Sequence, residues 1–138
     1  MKYSHAALIL SGLMLGGCIQ PRAADVTGAG SQLEIRQMQS REYDTLDKKM
    51  TMRAAIATLQ DLGFVIDTAD IDLGTITATR LDRLTMRMTV TVRDSEGKRV
   101  SVRVNARVGD TAVKDQATYQ DFFVNLDKAM FLVLNKVD

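Results

Sequence analysis

Two stretches of strict alternation constrain this chain more than anything else in it. In residues 84–92, Leu84, Met86, Met88, Val90 and Val92 alternate with Thr85, Arg87, Thr89 and Thr91. In residues 99–108, Val100, Val102, Val104, Ala106 and Val108 alternate with Arg99, Ser101, Arg103, Asn105 and Arg107. A period of two belongs to antiparallel strands with one buried and one wet face. A slip of one residue would turn every side chain to the wrong face, so the phase sets the parity of pairing. Pairing Asp94 with Lys98 keeps the apolar faces together, with Met88 opposite Val104 and Val90 opposite Val102. Ser95, Glu96 and Gly97 then form a three-residue loop, with glycine where a positive φ is needed.

An apolar sheet face requires a cover, and two segments have the pattern of one. Residues 45–62 read as a helix: Met52, Ala55, Ile56, Leu59 and Leu62 share a face. Asp44 or Thr45 can cap its start, and Gly63 ends it as a left-handed stop. Residues 115–136 read as a second helix, with Tyr119, Phe122, Phe123, Leu126, Met130, Val133 and Val137 in one stripe. A strand at 64–67, an Asp-rich turn at 68–74 and a strand at 75–80 lie between the first helix and the hairpin. In the second of these strands the threonines face one way, and Ile76 and Ala78 the other. Residues 35–43 read as an edge strand. The order β-α-β-β-β-β-α predicts an α+β fold: an antiparallel sheet with two helices packed on one face.

The first 17 residues are a separate object. Lys2 supplies a positive start, and an apolar run from Ala6 to Leu15 is followed by Gly16 and Gly17. This is the pattern of a secretory signal, with an apolar run too short to span a bilayer. Leu15-Gly16-Gly17-Cys18 resembles the bacterial lipobox, whose cysteine is acylated and becomes the first residue of the mature protein. The resemblance implies lipidation at Cys18 and attachment to a membrane through that lipid. Residues 19–32 have no hydrophobic period and hold the only proline and two glycines, so the lipidated N-terminus and a flexible tether are expected over 18–32 and one domain over 33–138. Ile19 stands where an inner-membrane retention signal would place Asp, so the resemblance implies delivery to the outer membrane, facing the periplasm.

Removal of residues 1–17 would leave 121 of 138 residues, enough for one domain with its own core. Their charge balances at 17 basic against 17 acidic side chains, which provides no global attraction to nucleic acid. The only histidine is His5, within the signal, and the only cysteine is Cys18. The mature domain would have no imidazole, no free thiol and no disulfide, and would be held by packing alone.

These absences narrow the chemistry. Nucleophilic catalysis needs an activated side chain beside a base, and neither His nor Cys is left to serve. Asp67, Asp70 and Asp72 are near enough for carboxylate chemistry, but Asp is also a turn residue. Asp70-x-Asp72-x-Gly74 echoes a calcium loop, yet the glycine comes one position early and Leu81 occupies the place of the closing glutamate. No metal, cofactor or enzymatic activity is expected. The wet face of the hairpin carries Arg87, Arg93, Arg99, Arg103 and Arg107 among threonines. It suits a carboxylate- or phosphate-bearing partner: wall polymer, lipid headgroup or acidic protein patch. The same residues equally suit a soluble face that guards edge strands against aggregation. The expected register sets Arg93 opposite Arg99, an unfavourable pair. No aromatic residue interleaves these arginines, which argues against binding single-stranded nucleic acid. Tyr119, Phe122 and Phe123 fit either plain core or the wall of an apolar ligand cavity.

Arg41-Glu-Tyr-Asp-Thr, Thr58-Leu-Gln-Asp-Leu-Gly-Phe, Ala69-Asp-Ile-Asp-Leu-Gly-Thr-Ile-Thr-Ala-Thr and Tyr119-Gln-Asp-Phe-Phe together resemble a group of small proteobacterial lipoproteins of largely unassigned function. More distantly, the succession of helix, Gly-Phe, strand, acidic loop, Leu-Gly and strand is similar to the helix-grip domains of the lipoprotein C subunit of the β-barrel assembly machinery. The likeness implies a non-enzymatic binding or assembly accessory of the cell envelope. The alternative is a carrier or sensor of a small apolar ligand held between sheet and helices.

Overall fold

A computed structural model describes residues 26–135. The chain runs α1 (Val26–Met38), β1 (Ser40–Tyr43), α2 (Lys48–Asp61), β2 (Val65–Asp70), β3 (Thr75–Leu81), β4 (Thr85–Ser95), β5 (Arg99–Val108), β6 (Thr111–Ala112) and α3 (Gln116–Leu134). The strands form one antiparallel sheet in the order β1-β5-β4-β3-β2, with the short β6 also paired to β5. The fold is α+β, as the periodicities predict. One sheet face contributes Ile76, Ala78, Met88, Val90, Val92, Val100, Val102, Val104 and Ala106 to the core. Met52, Ala55 and Leu59 of α2 and Tyr119, Phe122, Phe123, Leu126 and Met130 of α3 pack against them.

The helix ends follow from local chemistry. Asp47 caps α2: its carboxylate accepts from the Met50 amide at 2.8 Å. The expected caps, Asp44 and Thr45, lie too early. Thr45 instead accepts from the Asp47 amide at 3.1 Å and shapes the turn before the helix. After Leu62, Gly63 N–H bonds to Gln60 O and Phe64 N–H to Leu59 O, the paired closure of a Schellman end. Asp115 caps α3 by accepting from the amide and hydroxyl of Thr118, and these bonds hold its carboxyl below the ordinary value.

Four segments depart from expectation. Residues 26–38 are helical, so the expected tether limit at residue 32 falls inside α1, and the expected strand at 35–43 shrinks to Ser40–Tyr43. Residues 32–38 combine strong helix formers with little hydrophobic period, and propensity wins over a weak alternation. β1 does take an edge position. Second, β2 continues to Asp70, three residues beyond the expected strand, because its ladder with β3 runs through Thr68, Ala69 and Asp70. Third, the central hairpin is shifted by two residues. Ser95 pairs with Arg99, Val90 with Val104 and Met88 with Ala106. A shift of two preserves parity, so alternation cannot select between the registers. The loop becomes Glu96-Gly97-Lys98, with φ of +71° at Gly97 and +64° at Lys98. Glu42 of β1 accepts from Ser95 and Arg99, the two residues that close this loop.

Fourth, in α3 the described side chains beyond Met130 are exposed as far as Val133. Val133, expected in the stripe, is about half exposed, as is Leu132. The facing residues of α2 include Ala54 and Ala57, too short to fill the space, and a groove of about 590 Å³ remains. Val137 lies outside the described residues.

Polar ties join the N-terminal part to the rest. Tyr119 donates to Val113 O at 2.6 Å, while Gln39 donates to the Tyr119 hydroxyl at 3.1 Å. On β1, Arg41 pairs with Asp127 of α3 and stacks over Phe123 at 4.8 Å, and Tyr43 donates to Asp127 at 2.8 Å. Burial pushes the Tyr43 phenol well above its usual range, and the hydrogen bond to Asp127 and its negative charge push the same way. A group whose pKa rises on folding adds stability that is full below its unfolded value and is lost as pH rises toward the folded one. That window opens above about pH 10. Urea unfolding should therefore show stability falling above about pH 10, with a shallower fall in Tyr43→Phe. Parallel alkaline limbs would remove Tyr43 as a cause.

Candidate site on the open face of the sheet

The helices cover one side of the sheet, and the other side displays the polar half of each alternation. Arg87, Arg93, Arg99, Arg103 and Arg107 all project there, as the phase of β4 and β5 requires. Their neighbours follow from the register. Arg103 lies between Ser40 of β1 and Thr91 of β4; Arg93 is opposite Ser101; Arg87 is opposite Arg107. The expected clash of Arg93 with Arg99 is thus absent, and the like-charge pair is Arg87 with Arg107.

The five arginines are not equivalent. Arg99 is committed: it reaches Glu42 at 2.7 Å and Asp44 at 3.8 Å. Arg107 donates to the carbonyl of Asp110. Among the described residues, Arg87, Arg93 and Arg103 form no ion pair. Ser40, Thr91, Arg93, Ser101, Arg103 and Asn105 line a depression of about 430 Å³ with no carboxylate in its wall. Glu42, the acid on the same face of β1, is taken by Arg99 and Ser95. The wall can therefore donate hydrogen bonds to an anion from two guanidinium forks, three hydroxyls and an amide. Ser40 and Asn105 were not singled out by residue type. Only the pairing of β1 with β5 brings Ser40 beside Arg103.

No family model matches the chain, and no curated protein matches it in sequence.

The other candidates resolve into structure. Asp67 accepts from the Thr79 hydroxyl at 2.6 Å, and Asp70 accepts from the Leu73 amide at 2.8 Å. Asp72 offers its backbone carbonyl to Lys48 Nζ at 3.0 Å. Asp67 thus ties β2 to β3, the Asp70 carboxylate shapes the turn, and the Asp72 backbone carbonyl docks it on α2. Among the described residues no three His, Cys, Asp or Glu side chains gather as metal ligands. Tyr119, Phe122 and Phe123 are closed into the core. The gap beside them, among Leu62, Phe64, Arg80, Met86 and Met88, is about 60 Å³. That suits a water or two, far below the roughly 300 Å³ of a small-molecule site. Cys18 lies outside the described residues, and no described helix is long and apolar enough to cross a membrane.

Proposed function

We propose that this chain is a lipid-anchored, non-enzymatic accessory of the bacterial envelope that binds its partner through the open face of the sheet. The observation that carries this reading is the uncovered face itself. Among the described residues, three arginines without acidic partners stand among hydroxyls on a sheet whose other side packs its central strands against α2 and α3. A partner with carboxylates or phosphates complements it, whether a protein, a wall polymer or a lipid headgroup. The signal pattern before Cys18 supports attachment through a lipid, and Ile19 supports the outer membrane. The structural roles of Asp67, Asp70 and Asp72, together with the lack of His and free Cys beyond Cys18, support a binding role over catalysis.

Cross-linking in cells tests the binding surface. Arg103→Glu with Arg107→Glu should reduce capture of an envelope partner by about tenfold or more. Unchanged capture would return the face to plain solvation. Cys18→Ser should move the protein from the membrane to the soluble fraction, and unchanged partitioning would overturn the anchor.

A further inference from the structure

We propose that the depression around Arg93 and Arg103 is a specific site for a phosphate-class oxyanion. The inference rests on the open face being the working surface and names the chemistry it takes. Arg93 and Arg103 are diagonal neighbours on β4 and β5, because Arg93 pairs with Ser101 and Arg103 with Thr91. Diagonal positions lie about 7 Å apart, so two guanidinium groups can converge on one anion between them. Ser101 and Thr91 complete the square, and Ser40 closes it from β1. A carboxylate has two oxygens in one plane. A phosphate presents oxygens in three dimensions, and donors from three strands around a concave wall match that shape better.

The surrounding charges keep the site open. Glu42 is the nearest acid by register, being paired with Ser101, but it bonds Arg99 and Ser95 instead. Arg99 thus acts as a counterion that keeps Glu42 away from Arg93 and Arg103. At about 430 Å³ the depression has room for a phosphate with a small polar group attached, such as a glycerol phosphate. The anion can arrive free or as the headgroup of a phospholipid; the recognising chemistry is shared.

The test uses the full chain in neutral detergent, titrated with inorganic phosphate and with glycerol 3-phosphate while backbone amide shifts are followed by NMR. Saturable shifts are expected at Thr91, Ser101 and Arg103. Arg93→Gln and Arg103→Gln should each weaken binding by about tenfold or more, through loss of a charge-assisted bond. Arg53→Gln, on α2 and outside the depression, should leave it unchanged. Arg103→Lys keeps the charge but loses the fork, and should fall between wild type and the glutamine variant. The absence of saturation, or equal weakening by Arg53→Gln, would overturn the proposal. Vesicles then separate the two sources. Shifts at the same amides with phosphatidylglycerol but not with a neutral glycolipid identify a headgroup; shifts with glycerol 3-phosphate alone identify a soluble ligand. Failure of every phosphate titration while Arg103→Glu with Arg107→Glu still abolishes partner capture would reject the anion class and leave the binding surface standing.

Discussion

Replacing Gly74 by alanine is expected to lower the melting temperature by about 10 °C or more, the effect of roughly 3 kcal/mol in a domain of this size. Gly74 ends the turn between β2 and β3 with φ of +70°. A left-handed backbone costs an ordinary residue about 1–2 kcal/mol by itself. Space is the larger obstacle. A Cβ there would stand 2.2 Å from the carbonyl oxygen of Val92 and 2.6 Å from Lys48 Cε. Lys48 can move, but Val92 is backbone in β4. Relief would pull the turn from β4 and break the 2.7 Å bond from Val92 N–H to Gly74 O. It would also displace Asp72 O, which Lys48 of α2 holds. Sheet edge and helix start would loosen together. The measurement is thermal unfolding followed by circular dichroism. A shift of only a few degrees would mean that the turn relaxes without leaving β4.

Phe122→Ala should cost about 3–5 kcal/mol, the range for removing a large buried aromatic. Phe122 has no exposed surface and meets Phe123 edge to face, with ring centroids 5.3 Å apart. It belongs to the face of α3 that closes onto the sheet, so the vacated volume would be walled by rigid strands. Strands paired on both sides cannot collapse inward cheaply, and the void remains. Urea unfolding with an unchanged slope and a lowered midpoint would report this loss. Near wild-type stability would mean that the methionines of the core, Met52, Met88 and Met130, repack into the gap.

The two alternating segments, the two amphipathic stripes and Gly63 were enough to read an antiparallel sheet with helices on its apolar side. Each of these features is a local repeat, and burial acts on every turn or every second residue in the same sense. α1 escaped because its first half carries Gly28 and Gly30, which disfavour helix, and its second half, though rich in helix formers, has no apolar stripe, so the period that marks the other helices is missing. β6 escaped because two residues cannot display a period; it exists only as a ladder on β5. The five arginines were legible as one face, since phase alone puts them there.

Their division of labour was not legible. Whether Arg93 meets Arg99 or Ser101 depends on a shift of two residues, to which alternation is blind. The bonds from Ser95 and Arg99 to Glu42 favour the register that is found and offset the left-handed backbone it imposes on Lys98. That register commits Arg99 and leaves Arg93 and Arg103 facing an open depression beside Ser40.

The linear order of residues therefore determined which face of each strand and helix turns to the core, though not how far along it burial extends, because hydrophobic burial reads parity and helical period directly. The tertiary structure alone decided which polar groups meet across strands, because those distances depend on register and on a strand from the other end of the domain.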